Sequence, residues 1–210
     1  MTEWFPHLAD VPNVGYVPDP SVVRATLPGH DRAPQLNVYT FDGQPRETLI
    51  WHSRNGSTSA SPAFDYSSIY LQDPTASSEA LIQRLHETLE LPGTMSDYHF
   101  AILRCVEQLW ERRRQEPELL GEIERLCWLD IRVVEGRPHA FTYEREGVTG
   151  FYGMPAFGHL IELFEREGFL AGRSRWRNGR SASGKSRHPQ NFAIGSRVWT
   201  RKAHERTATR

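Results

Sequence analysis

Nine of the fourteen prolines in this 210-residue chain fall within its first 75 residues, at positions 6, 12, 18, 20, 28, 34, 45, 62 and 74. Each locks φ and removes a backbone donor, so no long helix can run through that stretch. From Ser77 onward the prolines thin out and apolar residues recur with a period of 3.6. The chain therefore reads as α+β: a proline-rich segment with a β-hairpin over residues 1–75, then about four α-helices over 76–170, then a tail from 171 to 210.

Within the first segment, Gln35 to Phe41 alternates like a strand, Asp42-Gly43-Gln44-Pro45 is turn chemistry, and Glu47 to His52 is extended again. The run Asn55-Gly56-Ser57-Thr58-Ser59-Ala60-Ser61-Pro62 reads as a loop. A short strand is expected through Ser68-Ile69-Tyr70-Leu71. The segment is thus either a small β element or a coat laid over the helices.

The first helix starts at the Ser77/Ser78 caps, carries Ala80, Leu81, Leu85 and Leu89 on one face, and ends before Leu91-Pro92-Gly93. Ser96 or Asp97 is expected to cap the second, with Tyr98, Ala101, Ile102, Cys105, Val106 and Leu109 inward. That helix closes on Arg112, Arg113 and Arg114, cations at the negative end of its dipole. Pro117 suits the first turn of the third helix, whose stripe is Leu119, Leu120, Ile123, Leu126, Cys127, Ile131 and Val134, stopped by Gly136 and Pro138. So short a break between these two makes them an antiparallel hairpin. After a loop from Arg137 to Met154, Pro155 opens a fourth helix with Phe157, Leu160, Ile161 and Phe164 expected on one buried face, and Gly168 at its left-handed end.

The formal charge of −1 conceals a division. Residues 171–210 hold eleven basic residues against one acid, Glu205, a charge of +10; residues 1–170 hold fourteen basic and 25 acidic ones, a charge of −11. The acidic body repels nucleic acid, whereas the tail attracts it through phosphate neutralisation. No apolar run is long enough to span a membrane. The start, MTEWFPHLADV, has neither the basic patch nor the apolar stretch of a secretory signal. Two cysteines, Cys105 and Cys127, are too few for a disulfide scaffold or a thiolate zinc site. These features predict a cytoplasmic protein.

Phe157, Leu160, Ile161 and Phe164, followed by Gly168, resemble the first helix of a tetratricopeptide repeat over 157–168, with Ile161 standing where that family most often has Gly or Ala. The resemblance implies stacked antiparallel helix pairs that bind another protein through a concave face. The second helix of the repeat is not matched: the chain continues Gly172-Arg173-Ser174-Arg175-Trp176-Arg177-Asn178-Gly179-Arg180, with nothing to bury. Written with GC-rich codons and read from its third base, the string 172–184 instead gives Ala-Leu-Ala-Val-Ala-Glu-Arg-Ala-Val-Arg-Leu-Gly. That is an amphipathic helix. One A restored after the first G turns the junction into Ala-Glu-Ala-Leu. Trp176 has only the codon TGG, so with CGN for Arg177 the offset residue there must be alanine; with CGN for every arginine, the other helix alanines need only a G in third position. The sequence thus suggests a base lost near codon 172, which the DNA across codons 168–175 decides.

Other motifs are weaker. Gly179-Arg180-Ser181-Ala182-Ser183-Gly184-Lys185-Ser186 fits the phosphate-loop spacing, but no buried strand precedes it and Pro189 interrupts the helix that should follow. Trp176, Phe192 and Trp199 interleave with the tail's arginines in a pattern that could stack bases. The nine histidines show no metal-ligand spacing. His99 and Asp97 fall on different helix faces, His86 and Glu87 diverge, and His52 could meet Asp42 across the hairpin without any nucleophile tied to them. The histidines are expected to be scattered over the surface. Cys105 and Cys127 read as small core hydrophobes, and Trp110 and Trp128 as packing or interface aromatics. Glu107, Glu111, Glu162 and Glu165 belong to a mixed solvated face. The resulting expectation is a non-catalytic, helical-repeat-like protein-binding module with no catalytic, cofactor or metal residues. Its alternative is nucleic-acid binding through 171–210.

Overall fold

A computed structural model describes residues 3–165, except 55, 71–72, 74, 146–147 and 152–153. The fold is α+β. The described residues form seven short strands and five α-helices, in the order β1 (Trp4–Phe5), β2 (Pro34–Phe41), β3 (Gln44–Ser53), β4 (Gly56–Thr58), α1 (Pro62–Tyr70), α2 (Ser78–Leu89), β5 (Gly93–Thr94), α3 (Met95–Arg112), α4 (Leu119–Gly136), β6 (Thr142–Arg145), β7 (Val148–Phe151) and α5 (Pro155–Glu165). Leu170–Arg210 is a separate unit outside the described residues. The basic tail, its phosphate-loop match, Gly168 and the second-helix segment all lie outside the described residues, as does the Trp176, Phe192 and Trp199 pattern.

The hairpin forms where its residues predict it, with a tighter turn. Only Asp42 and Gly43 make the loop, at φ +50° and +71°, the left-handed pair of a type I′ turn whose twist matches the strands. Gln44 and Pro45 therefore join β3, and the register runs from Pro34 opposite Trp51 to Phe41 opposite Gln44. The expected loop 55–62 is partly strand: Gly56–Thr58 returns antiparallel on β3, with Trp51 opposite Thr58. The strand expected over Ser68–Leu71 is instead the end of α1, which begins at Pro62, where proline's fixed φ suits a first turn. Leu71 itself lies outside the described residues.

The helical part follows its periodicity. Ser77 caps α2 by accepting the Ala80 amide at 3.1 Å. The cap of α3, expected at Ser96 or Asp97, is Thr94. Its hydroxyl accepts the Asp97 amide at 3.3 Å, while the Asp97 carboxylate accepts the Thr94 amide at 2.8 Å. This is a capping box, in which the acid three residues on serves as the second arm and not as the cap. Asp97 also accepts the Ser61 hydroxyl at 2.8 Å, tying the start of α1 to the start of α3. α3 and α4 run antiparallel, since His99 near the start of one meets Asp130 near the end of the other.

The first segment is in part the coat laid over the helices, and one further feature of the core was not expected. The residues before β2 are laid on the helices: Leu8, Val11, Val14 and Tyr16 are buried in the same cluster as α2, α3 and α4. Polar bonds fasten them, with Tyr98 donating to the Phe5 and Leu91 carbonyls (3.1 and 2.9 Å) and Arg132 donating to the Val14 carbonyl (3.0 Å). Gly93 lies at this seam, where an added Cβ would come within 2.8 Å of the Ala63 methyl. The stretch 137–154, expected as a loop, holds a 3-10 turn over Pro138–Phe141 and the β6–β7 hairpin.

α5 buries a different face from the one expected. Ala156, Leu160 and Leu163 are buried and Phe164 packs partly against the core, whereas Phe157 and Ile161 are exposed. The inward stripe is rotated toward Ala156, whose small side chain lets the helix approach closely.

Candidate interaction surface

The β2–β3 hairpin has little to bury at its far end. All of β2 beyond Pro34 is exposed, and so are Gln44 to Glu47 of β3. Only the base is anchored, by Leu49 and Trp51, which are buried; Trp4 stacks edge-on against Trp51 at 5.6 Å. Alternation places Leu36 and Val38 on the same face as Leu49 and Trp51, because Leu36 pairs with Leu49 and Val38 with Glu47. An apolar stripe therefore runs out of the core along the hairpin and into solvent, reaching Val38 at 59% exposure. Tyr39 and Phe41, also exposed, lie on the opposite face.

β2 is also the edge of its sheet, whose order is β2-β3-β4. In a two-residue hairpin the pair flanking the turn exchanges both hydrogen bonds and the next pair neither, alternately down the ladder. The amides and carbonyls of Leu36, Val38 and Thr40 thus point away from β3. From Gln35 to Phe41 the strand carries no charge and no proline, none of the devices that usually blunt an exposed edge.

The titratable groups are arranged differently from the expected scatter. His99 is buried, 1% exposed, and its Nδ1 lies 2.5 Å from Oδ1 of an equally buried Asp130. The rings of Phe100 and Phe141 flank it at 5.1 and 5.2 Å. Asp130 Oδ2 has no hydrogen-bond partner, and burial raises this carboxyl above the usual range against the opposing pull of His99. The pair has no access to a substrate; it clasps α3 to α4.

His86 is part-buried and bridges three elements. Its Nε2 lies 2.8 Å from an Arg125 guanidinium nitrogen, which can only donate, so Nε2 accepts and Nδ1–H donates to Asp19 Oδ2 at 2.7 Å. Glu122 holds Arg125 in turn. Nearby, the His7 Nδ1, Tyr16 hydroxyl and Glu90 Oε1 atoms are buried without a hydrogen-bond partner. Burial raises the Glu90 carboxyl, and the nearby His7 opposes that rise.

His52 does not meet Asp42, because the two lie at opposite ends of β3. Its Nδ1 instead contacts the Ser57 hydroxyl at 2.8 Å on β4, in the open. Among the described residues no carboxylate hydrogen-bonds this imidazole, so the third member that orients a catalytic histidine is not supplied. Cys105 and Cys127 are buried free thiols, each pushed up to about 12 by burial. Trp110 and Trp128 pack partly against the core, and Trp110 lies beneath Arg113 and 4.4 Å from the His159 ring on α5. Glu162, expected on a solvated face, reaches Arg113 at 3.4 Å.

Among the described residues no group of three or more His, Cys, Asp or Glu side chains is placed to hold a metal ion. No described helix is long and apolar enough to cross a membrane. Sequence reasoning missed the exposed edge and the His99–Asp130 clasp. The uncharged run Gln35 to Phe41 was a readable sign of the first. Comparison with known protein families, curated proteins and solved structures finds no match to this chain.

Proposed function

We propose that this chain is a non-catalytic protein-binding module of the cytoplasm, a helical-repeat-like body that presents the edge of β2 to an extended segment of another protein. The observation that supports this reading is the conjunction on one strand of outward backbone groups at Leu36, Val38 and Thr40 with exposed side chains at Leu36 and Val38. Strand addition uses both: main-chain hydrogen bonds supply affinity, and alternate side chains continue the partner's apolar face. The buried histidine–aspartate pair and the unaccompanied His52–Ser57 contact favour binding over catalysis. Two free, buried thiols suit a reducing compartment. Nucleic-acid binding, the alternative reading, rests wholly on residues 171–210, outside the described residues.

The test is selection of peptides on the folded chain. Selected sequences carry apolar residues at alternate positions and slow hydrogen exchange at Leu36, Val38 and Thr40. Val38→Pro removes an outward amide without touching the internal ladder and weakens binding at least about tenfold, the worth of one hydrogen bond with its contacts. Peptides that bind Val38→Pro and Val38→Asp as tightly as they bind the parent would refute the reading.

A further inference from the structure

We propose that, when no other protein occupies it, the β2 edge is covered by β2 of a second copy of this chain, antiparallel and centred on Val38, so that a dimer is the resting form of the binding site. The proposal rests on the reading of β2 as a binding edge and names what holds that edge closed.

The backbone of β2 is complementary to itself. Leu36, Val38 and Thr40 turn their amides and carbonyls away from β3, as the register from Phe41 opposite Gln44 requires. A two-fold axis normal to the sheet through Val38 sets Leu36 of one copy against Thr40 of the other, and Val38 against Val38. Each of these pairs then exchanges both hydrogen bonds. Pro34 fixes the register. Its nitrogen also faces outward, but it carries no hydrogen and its ring blocks the approach of a carbonyl. A slide of two residues toward the base sets Thr40 against that ring. A slide of two toward the tip sets Leu36 against Asp42, which leaves the strand at φ +50°. A slide of one residue sets outward groups against inward ones.

Side chains and charges agree with the same register. On the face that holds Leu49 and Trp51, the two Val38 side chains meet, and Leu36 of each copy lies diagonal to Val38 of the other. On the opposite face Tyr39 lies across from Asn37 and diagonal to the second Tyr39. Leu36, Val38, Tyr39 and Phe41, now exposed by 46–59%, all lose solvent. No charge lies between Ala33 and Phe41. Just beyond, Asp42 of one copy falls opposite Pro34 of the other, two residues from Arg32, so unlike charges close both ends of the ladder. Glu47 lies in line with its own copy across the sheet. Three strand spacings, about 14 Å, separate the two, more than a Debye length at physiological salt.

A second β2 fits this edge better than β4 does. β4 spans only Gly56–Thr58, so β2 laid on the β4 of a neighbour forms a shorter ladder and an open row of molecules. The two-fold pairing uses the longer edge twice and closes. Residues 1–170 carry a charge of −11, and like-charged bodies repel. The dimer is therefore weak, and an extended apolar segment of another protein displaces it. The apparent affinity of that segment falls as the chain concentration rises, because only the monomer is competent to bind.

The experiment is sedimentation of the full chain from about 1 to about 200 μM, which shows a monomer–dimer equilibrium, as so small an interface requires. Val38→Pro removes the central bonds and weakens the dimer by about tenfold or more. Asp42→Asn keeps the turn and loosens the dimer about threefold. Mild oxidation reads the register. Val38→Cys cross-links to itself, since a hydrogen-bonded pair sets its Cα atoms about 5.5 Å apart, within disulfide range. Leu36→Cys and Thr40→Cys, each about 14 Å from its own copy, cross-link only when mixed; Cys105 and Cys127 are buried and take no part. A chain that stays monomeric throughout, a dimer that Val38→Pro leaves intact, or one in which Val38→Cys does not cross-link overturns the proposal. Peptides that still bind β2 of such a monomer leave the binding reading standing. A dimer centred on Val38 with which no selected peptide competes upholds the pairing and refutes the binding reading.

Discussion

Replacing His99 by leucine tests the clasp between α3 and α4. His99 and Asp130 are each 1% exposed and 2.5 Å apart, and the second carboxylate oxygen is already unpartnered. The substitution leaves a buried carboxyl with no partner on either oxygen. Breaking one side of such a pair costs about 3–5 kcal/mol. Unit Met1–Phe169 unfolds with an entropy of about 0.35 kcal/mol/K on the usual per-residue value, so Tm falls by roughly 8–14 °C. Removing both partners with His99→Leu and Asp130→Val takes away the orphan charge and recovers most of that loss. The pH dependence has a fixed sign. Burial raises the folded carboxyl above its unfolded value, so its contribution is fully present below the ordinary carboxylate range and is lost as pH rises through the raised value. Without His99 to oppose it, the rise is larger, and the gap between the variant and the parent widens as pH climbs above the ordinary carboxylate range. Urea and thermal unfolding of parent, both single variants and the double variant measure this directly. A single-variant loss below about 1 kcal/mol, or a double variant as unstable as His99→Leu, would refute the argument.

Three further outcomes follow from local geometry. Asp19 accepts both the amide and the hydroxyl of Ser21 and meets His86, which lowers its carboxyl to about 2; its contribution is present above the ordinary carboxylate value and lost as pH falls through about 2. NMR titration finds that value, and Ser21→Ala raises it. Gly93→Ala drives a methyl against Ala63 at 2.8 Å and destabilises by about 1–3 kcal/mol, as overpacking does, read from the shift of the urea midpoint. Cys105 and Cys127, both buried and pushed up to about 12, stay unreactive toward a disulfide reagent at pH 8 in the folded chain and react together on unfolding. Early reaction of either would show that its helix opens locally.

Local chemistry made much of the scaffold legible. The α+β class, the Asp42-Gly43 turn, the Ser77 cap and the extents of α2, α3 and α4 follow from proline, glycine, capping residues and a 3.6 period, each acting within a few residues of itself. Errors arose where two local readings competed. Thr94 and Asp97 are both capping types, and only their reciprocal bonds assign the roles. Ser68–Tyr70 has strand-like residues, yet Pro62 and the Asp97–Ser61 bond start a helix that carries through them.

What tertiary structure alone decided concerns partners distant in sequence. Asp130 is 31 residues from His99, and His86 is 67 from Asp19; no periodicity places such pairs together, because their energy is gained only after the helices pack. The same holds for exposure. Leu36, Val38, Phe157 and Ile161 are as apolar as Leu49 and Leu160, and the sequence pattern treats them alike. Whether each is buried depends on what lies across from it, which is a property of the assembled body and not of the strand or helix that carries it.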